Sequence, residues 1–281
     1  MGLYYTARMG EIRIILILDN QGWEKPTGDC HFAKQRRNAD NTAYSGALRM
    51  RNFTPDQLSI LDMCMAPGGY LAEALRVNSQ ANAVAFTLLP ADRGHDVLLS
   101  ETSNITMRFL DVTTLVADVG HFDLALCDGQ RREATILALT QLIISVSHLK
   151  QSGTMVILLH KLEAPDTVLL LHAFDKFATV RLFKPAHNHA TLSSFYMIAT
   201  NVMSQSVAAK TAIGQWRNAW KIATFELDIE NSAYDALVYK NSPDVGSVVE
   251  EFGPRLIEMG RRIWGGKSDP GHGQRNRKER P

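Results

Sequence analysis

The chain has 281 residues, of which 45% are hydrophobic, and its formal net charge at pH 7 is only +1. These values are typical of a globular protein with one large domain, or with one domain and an appendage. The small net charge counts against tight, autonomous RNA binding, because phosphate contacts usually require a distinctly basic surface. It leaves room for a local basic patch.

Cysteine content and hydropathy indicate the compartment. The three cysteines, Cys30, Cys64 and Cys127, are too few and odd in number for a disulfide scaffold, and their spacing is not that of a metal site. We therefore expect a reducing compartment and no bound metal. The most apolar early run, residues 12–18, is too short to span a bilayer and does not have the form of a signal peptide. The expectation is an intracellular protein, cytoplasmic or nuclear, without a membrane segment.

Residues 1–58 are expected to form an N-terminal extension. The apolar, isoleucine-rich run at 12–18 favours a buried strand. A basic cluster further along is either a solvated helix face or a lip that contacts the substrate. The members of this cluster are Lys34, Arg36, Arg37, Arg49 and Arg51.

The segment 59–73 predicts a short strand at 59–64, a tight turn, and a helix that begins near Gly69. Pro67 cannot continue a strand, whereas Gly68 and Gly69 let the backbone turn sharply and let a ligand approach it. The free N–H groups at the start of a helix suit a carboxylate or a phosphate. The turn lacks the glycine patterns of dinucleotide-binding and P-loop sites. A plain strand-to-helix turn is the alternative.

From residue 59 onward, predicted strands and helices alternate, which indicates a parallel sheet with helices on its faces. Helices are expected around 136–146 and from Asp166 or Thr167 onward. Polar residues at the ends of the strands should lie at one edge of the sheet, where ligands bind in open α/β folds. The later strands are predicted at 83–89, 105–110, 122–127 and 154–160, with a final antiparallel pair at 178–183 and 194–200.

The last part of the chain is predicted to be an appendage to a core at 59–204. In the appendage, residues 205–264, Ala209, Ile213 and Trp216 fall on one helical face, and a last helix is expected at 255–264. The tail at 265–281 is rich in glycine, proline and charge, and is predicted to be disordered. Its basic residues either solvate the chain or touch RNA.

The turn after the first strand resembles motif I of the FtsJ-like methyltransferases, whose pattern is Leu-Asp-x-x-x-Ala-Pro-Gly-Gly-aromatic. The matching residues are Leu61, Asp62, Ala66, Pro67, Gly68, Gly69 and Tyr70. The resemblance covers about residues 59–202. It implies an α/β, Rossmann-like, seven-stranded fold that binds S-adenosyl-L-methionine (SAM), with the methionine part of SAM along this turn and with helical extensions at both ends of the core.

The same resemblance implies which residues contact SAM. In the family an acidic residue after strand three contacts the adenine side, and Asp111 stands there; the alternative is an aspartate that only caps a loop. Thr87 stands where many SAM enzymes carry an acidic residue for the ribose, and a hydroxyl is a weaker partner. The complete predicted set is Asp62, Met65, Ala66, Pro67, Gly68, Gly69, Tyr70, Leu71, Thr87, Leu88, Asp111, Val112 and Asp128.

The catalytic residues implied by the resemblance are incomplete. Asp128 stands at the family's catalytic aspartate, with a simple Asp-Gly turn as the alternative. The family's ribose methyltransferases use a Lys-Asp-Lys-Glu tetrad, but here Leu158 stands at the second lysine and Ser194 at the glutamate. Lys161, three residues after Leu158, replaces that lysine only if the strand has ended or bulged. On a regular strand, a shift of three residues moves a side chain roughly 10 Å along the strand and to the other face of the sheet.

The predicted catalytic set is therefore Asp128, Lys161 and His160. For Lys161 the alternative is a solvated charge at a strand end, and for His160 a satisfied polar residue near the core. The first lysine of the tetrad has no clear counterpart. Lys34 is the nearest lysine in sequence, and Arg49 or Arg51 fits the spacing better.

Four segments are also similar to those of a fungal-type group of FtsJ-like proteins: Met-Ala-Pro-Gly-Gly-aromatic, Cys-Asp-Gly-Gln, Leu-Leu-His-Lys and Ser-Ser-Phe-Tyr. The leading hypothesis is a SAM-dependent methyltransferase that methylates ribose oxygens of RNA. One alternative is a methyltransferase for a small molecule, which the small net charge and the incomplete tetrad favour. Another is a SAM-binding pseudo-methyltransferase. The expected partner is thus RNA or a small-molecule acceptor, with no membrane and no metal.

Overall fold

A computed structural model describes residues 58–92, 94–100, 102–115, 119–129, 134–184, 193–225 and 243–264. The predicted N-terminal strand, the basic cluster at 34–51 and the C-terminal tail lie outside these residues. The two histidines of the loop before the last predicted strand, His187 and His189, lie outside them as well.

The strands are β1 Ser59–Met63, β2 Asn82–Thr87, β3 Ile105–Phe109, β4 Phe122–Cys127, β5 Leu149–His160, β6 Thr179–Phe183 and β7 Ser194–Val202. They form one seven-stranded sheet in the order β3-β2-β1-β4-β5-β7-β6. Strands β1 to β5 pair in parallel, and β7 lies antiparallel between β5 and β6. This sheet confirms the fold class expected from the sequence, including the final antiparallel pair.

The helices are α1 Gly69–Val77, α2 Ala134–His148, α3 Pro165–Asp175, α4 Val207–Phe225 and α5 Val245–Trp264, with 3-10 turns at Pro90–Asp92 and Val112–Thr114. Helix α1 packs on one face of the sheet, where Leu71 and Ala74 join a buried apolar cluster with Leu124 and Tyr196. The other helices contribute to a larger cluster on the opposite face. The two layers leave the carboxyl ends of β1 to β5 at one edge.

The C-terminal helices pack against the core: α4 contacts α2, and α5 contacts α3 and β6. Ala209 of α4 and Leu256 of α5 lie in the same buried cluster as the central strands. The proposed boundary between a core at 59–204 and an appendage at 205–264 stays a prediction. No helix in the described ranges combines the length and the apolarity needed to cross a bilayer.

Most element boundaries differ from the predicted ones by one or two residues, and three differ in a way that has a physical reason. Strand β5 begins at Leu149 instead of 154. Its first residues are mostly polar and include Ser152 in a left-handed conformation (φ 63°), so they lack the apolar pattern that predicts a strand. Helix α3 has Ala164 at its N-cap and Pro165 in its first turn, so neither Asp166 nor Thr167 is the cap. Helix α5 starts about three turns before the predicted position and contains Pro254 in its interior.

Candidate active site

The site lies where the three central strands end side by side. Met63 of β1 is level with Cys127 of β4, and Cys127 is level with Ile157 of β5. Asp128 therefore leaves the sheet beside the turn that follows β1. The N–H of Met65 donates to the carbonyl of Phe86 at the end of β2, 2.8 Å away, which fixes the start of that turn.

The glycine turn is closely covered. Gly68 has φ 107°, a left-handed backbone conformation that residues other than glycine rarely adopt. Its carbonyl accepts the first hydrogen bond of α1, from the N–H of Ala72. A Cβ at Gly68 would lie 2.8 Å from the Cβ of Leu99. The N–H of Leu98 donates to the carbonyl of Pro67 over 2.9 Å. The segment after β2 thus lies directly against the turn, a contact that no motif in the sequence predicts.

Two carboxyl groups meet beneath this turn. Asp62 is buried in β1, and both its Oδ2 and the Oδ1 of Asp128 are buried without a hydrogen-bond partner. Burial raises the pKa of Asp62 well above its ordinary value, and the nearby charge of Asp128 raises it further. Burial also raises the pKa of Asp128 to about 7, although a hydrogen bond from Tyr70 opposes this rise. Each group thus keeps a buried oxygen that a ligand donor can reach only by hydrogen bonding or by charge pairing.

Two tyrosines complete the buried polar cluster. Their hydroxyl oxygens are 2.7 Å apart, and the rings of Tyr70 and Tyr196 meet edge to face with centroids 6.4 Å apart. The Tyr70 hydroxyl is also hydrogen-bonded to the carboxyl of Asp128. Burial, above all, raises the pKa of both tyrosines, so both stay protonated. Tyr196 was not predicted as a site residue, although it belongs to the Ser-Ser-Phe-Tyr segment.

Strand β5 ends just before Lys161. His160 is its last residue, and Lys161 has φ 50° and donates its N–H to the carbonyl of Ser193, 3.1 Å away. The condition under which Lys161 can turn toward the site, namely that the strand has ended, is met. Burial lowers the pKa of His160, so its ring is neutral at pH 7. Leu158 lies two residues earlier, paired with Tyr196.

The candidate adenine side lies after β3. The carboxylate of Asp111 accepts hydrogen bonds from the N–H (2.9 Å) and the hydroxyl (2.7 Å) of Thr113, so the capping geometry is present. Val112 is buried in the larger apolar cluster, and Thr87 is buried at the end of β2. The indole N–H of Trp220 in α4 donates to the carbonyl of Thr113 over 3.1 Å. Contacts of Asp111, Val112, Thr87 and Leu88 with a ligand stay predictions.

The site has the chemistry that SAM requires. SAM carries an ammonium and a sulfonium, and the unpartnered oxygens of Asp62 and Asp128 are acceptors for cationic groups. Leu99 occupies the space beside the Cα of Gly68, so glycine at this position lets the segment after β2 pack directly on the turn. Among the described residues, no group of three or more His, Cys, Asp or Glu side chains is arranged to hold a metal ion.

A family model described as FtsJ-like methyltransferase matches residues 45–202, which is more than half of the chain. The chain belongs to the FtsJ-like methyltransferase family. It is a SAM-dependent methyltransferase, and SAM is its cofactor. The predicted resemblance and fold are thereby confirmed, while the fungal-type subgroup and the incomplete tetrad stay predictions.

Three solved structures illustrate the similarity of fold, all at low sequence identity. The Methanococcus jannaschii fibrillarin pre-rRNA processing protein is 13% identical, with 58% of this chain and 76% of that chain covered and a TM-score of 0.43. A Plasmodium falciparum protein described as a ribosomal RNA methyltransferase is 12% identical, with coverage of 57% and 97% and a TM-score of 0.43. The pyocyanin biosynthetic protein PhzM is 13% identical, with coverage of 64% and 60% and a TM-score of 0.41. No curated protein sequence matches the chain.

Proposed function

We propose that this FtsJ-like methyltransferase transfers the methyl group of SAM to a ribose hydroxyl of RNA, with Asp128 as the general base. The observation that carries the proposal is the buried, unpartnered Oδ1 of Asp128 at the carboxyl edge of β4. A carboxylate there can accept the proton that a hydroxyl loses as it becomes a nucleophile. Because the pKa of Asp128 is about 7, the group is poised to exchange a proton near neutral pH.

The cofactor is assigned to the turn between β1 and α1. The residues proposed to hold it are Asp62, the stretch from Met65 to Leu71, Thr87, Leu88, Asp111, Val112 and Asp128. When bound, SAM supplies an electrophilic methyl group that an in-line oxygen nucleophile can accept. The protein's part is to orient the acceptor hydroxyl relative to the methyl group. The glycine turn and the end of β4 are proposed to position the cofactor and Asp128 for this purpose.

RNA as the acceptor is supported by family membership and by cationic residues at the edge of the sheet. Lys161 follows β5 and Lys184 follows β6, and these two strands run in the same direction because both are antiparallel to β7. The two lysines therefore lie at the same edge as Asp128, with a charge that suits phosphates. Lys161 is assigned to this role or to proton handling together with His160.

A small-molecule acceptor is the second candidate, because Leu158, which stands at the position of the family's lysine, packs against the apolar cluster of Tyr196 and brings no charge there. The deciding experiment incubates the purified protein with methyl-deuterated SAM and with ribosomal, transfer or capped RNA, followed by nucleoside mass spectrometry. The proposal expects the label on ribose, and none on a matched oligonucleotide with 2′-deoxyribose. Label on a base, or none on any RNA, would contradict it.

The matched variants are Asp128→Asn and Glu258→Gln. Asp128→Asn removes the proposed base and should reduce transfer by at least about 100-fold, the usual scale of general-base catalysis. Glu258 is an exposed carboxylate on α5 that pairs with Arg255, so its replacement should leave transfer unchanged. Equal activity of the two variants would exclude Asp128 as the base.

A further inference from the structure

Tyr196 lies beside Leu158, the residue that stands where the family's tetrad has its second lysine. In the antiparallel ladder between β5 and β7, Tyr196 is the partner of Leu158, the residue that stands at the lysine position. Both side chains join the same apolar cluster, on the face of the sheet that α1 covers. Tyr196 is 1% exposed, so its hydroxyl is withdrawn from water. A buried hydroxyl requires a partner, and Tyr70 is one for Tyr196.

The direction of the hydrogen bonds follows from the number of protons. Tyr70 has one hydroxyl proton and is bonded both to the carboxyl of Asp128 and to the hydroxyl of Tyr196. When Asp128 is ionised it can only accept, so Tyr70 donates to Asp128. The hydrogen between the two tyrosines then comes from Tyr196. The result is a chain in which Tyr196 donates to Tyr70, and Tyr70 donates to Asp128.

We propose that Tyr70 and Tyr196 are a pair of positioning residues that replace the family's lysine and glutamate in supporting the carboxylate of Asp128. Tyr70 orients the carboxylate through its hydroxyl, and Tyr196 fixes and polarises Tyr70. This inference rests on the proposed function for the role of Asp128 as the base. It concerns how the carboxylate is held, and it does not depend on the acceptor.

The physical basis is the cost of a buried negative charge. A carboxylate removed from water is stabilised by hydrogen bonds from protein donors, and donors that are themselves hydrogen-bonded are stronger. A lysine supplies such stabilisation as a charge, whereas here neutral donors must do so. Asp62 on β1 and Cys127 on β4 are two further titratable groups that interact with Asp128. Burial raises the pKa of each, which favours the neutral form of both groups.

The test measures the ionisation of Asp128 directly, in the free protein without SAM or RNA. Carbon-13 NMR of protein labelled at the aspartate carboxyl carbon follows the titration, and Asp128→Asn identifies the signal. Tyr70→Phe should raise the pKa of Asp128 by about one pH unit, because the charged form loses its donor. Tyr196→Phe should raise it by less, and the double variant should match Tyr70→Phe, since the effect of Tyr196 passes through Tyr70.

Thr140→Val is the control, because it removes a buried hydroxyl that donates to Ile136 within α2. It should leave the pKa of Asp128 unchanged. A titration that is unaffected in Tyr70→Phe, with an unchanged circular dichroism spectrum, would overturn the inference. The inference would also be overturned if adding Tyr196→Phe to Tyr70→Phe raised the pKa of Asp128 as much as Tyr196→Phe does alone. Failure of RNA methylation would leave these results intact, so failure of the proposed function is distinguishable from failure of this inference.

In the active enzyme the same variants provide a second readout. Tyr70→Phe should move the rise of kcat with pH to a higher pH, whereas a tyrosine that only fills space would lower kcat equally at all pH values. Rescue of kcat at high pH is the signature expected of a positioning residue. A uniform loss of kcat would contradict the proposal.

Discussion

The indole N–H of Trp220 donates a hydrogen bond to the carbonyl oxygen of Thr113, 3.1 Å away, and so joins helix α4 to the turn after β3. Thr113 in turn donates two hydrogen bonds to Asp111, the candidate contact for the adenine side of SAM. A helix far along the chain thereby supports a loop that the fold places at the cofactor edge.

From this relationship we expect Trp220→Phe to weaken SAM binding about three- to fivefold, the effect of losing roughly one neutral hydrogen bond. Titration calorimetry measures the change. Trp216→Phe is the matched control, because Trp216 stacks on Phe174 in the core and should affect stability alone. Equal SAM affinity in wild type and Trp220→Phe would show that the loop does not need this anchor.

Gly68→Ala is expected to abolish most SAM binding. The added Cβ would meet the Cβ of Leu99 at 2.8 Å, and φ 107° is strained for alanine. We expect the Kd for SAM to rise more than about tenfold. Gly214→Ala is the control: Gly214 lies within α4 with open space around its Cβ position, so this variant should be about 1 kcal/mol more stable. Normal SAM binding by Gly68→Ala would exclude the turn as the binding surface.

Asp62→Asn should stabilise the free protein at pH 8. The pKa of Asp62 is raised in the folded state, so above the unfolded pKa of about 4 the folded protein binds more protons than the unfolded chain, up to the folded-state pKa. Stability therefore falls as pH rises through this window, and asparagine removes that loss. We expect a gain of about 1–3 kcal/mol at pH 8 and little change at pH 4. Urea unfolding at both pH values measures it, and destabilisation at pH 8 would contradict the account.

Lys161→Gln separates the two roles assigned to this residue. If Lys161 contacts a phosphate, the variant should bind RNA more weakly, while its affinity for SAM stays unchanged. The slope of the logarithm of RNA affinity against the logarithm of salt concentration should become shallower by about one. Lys150→Gln is the control, because Lys150 lies near the start of β5, at the opposite edge, and pairs with Asp123. Loss of kcat with unchanged RNA affinity would assign Lys161 to proton handling instead.

The sequence was most informative where local pattern decides the structure. Strand β4 was predicted with its observed bounds, because an apolar run ends at an Asp-Gly pair. The start of β5 was missed because Ser152 adopts a left-handed conformation at a register shift, which no periodicity signals. The contact between Tyr70 and Tyr196 joins residues 126 positions apart and exists because β7 inserts beside β5. Such contacts depend on strand order, which local pattern does not contain.

The most direct test of the account is the affinity for SAM measured by calorimetry at pH 6.0 and 7.5, where the ligand's amino group stays largely charged. Because Asp128, with a pKa of about 7, must ionise to accept a cation, and because part of the ligand's amino group loses its proton by pH 7.5, we predict an affinity about fivefold higher at pH 7.5. Asp128→Asn should bind more weakly at pH 7.5 and lose this pH dependence. No SAM binding at either pH, or an affinity independent of pH in the wild type, would contradict the assignment of the buried carboxyl groups to the cofactor site.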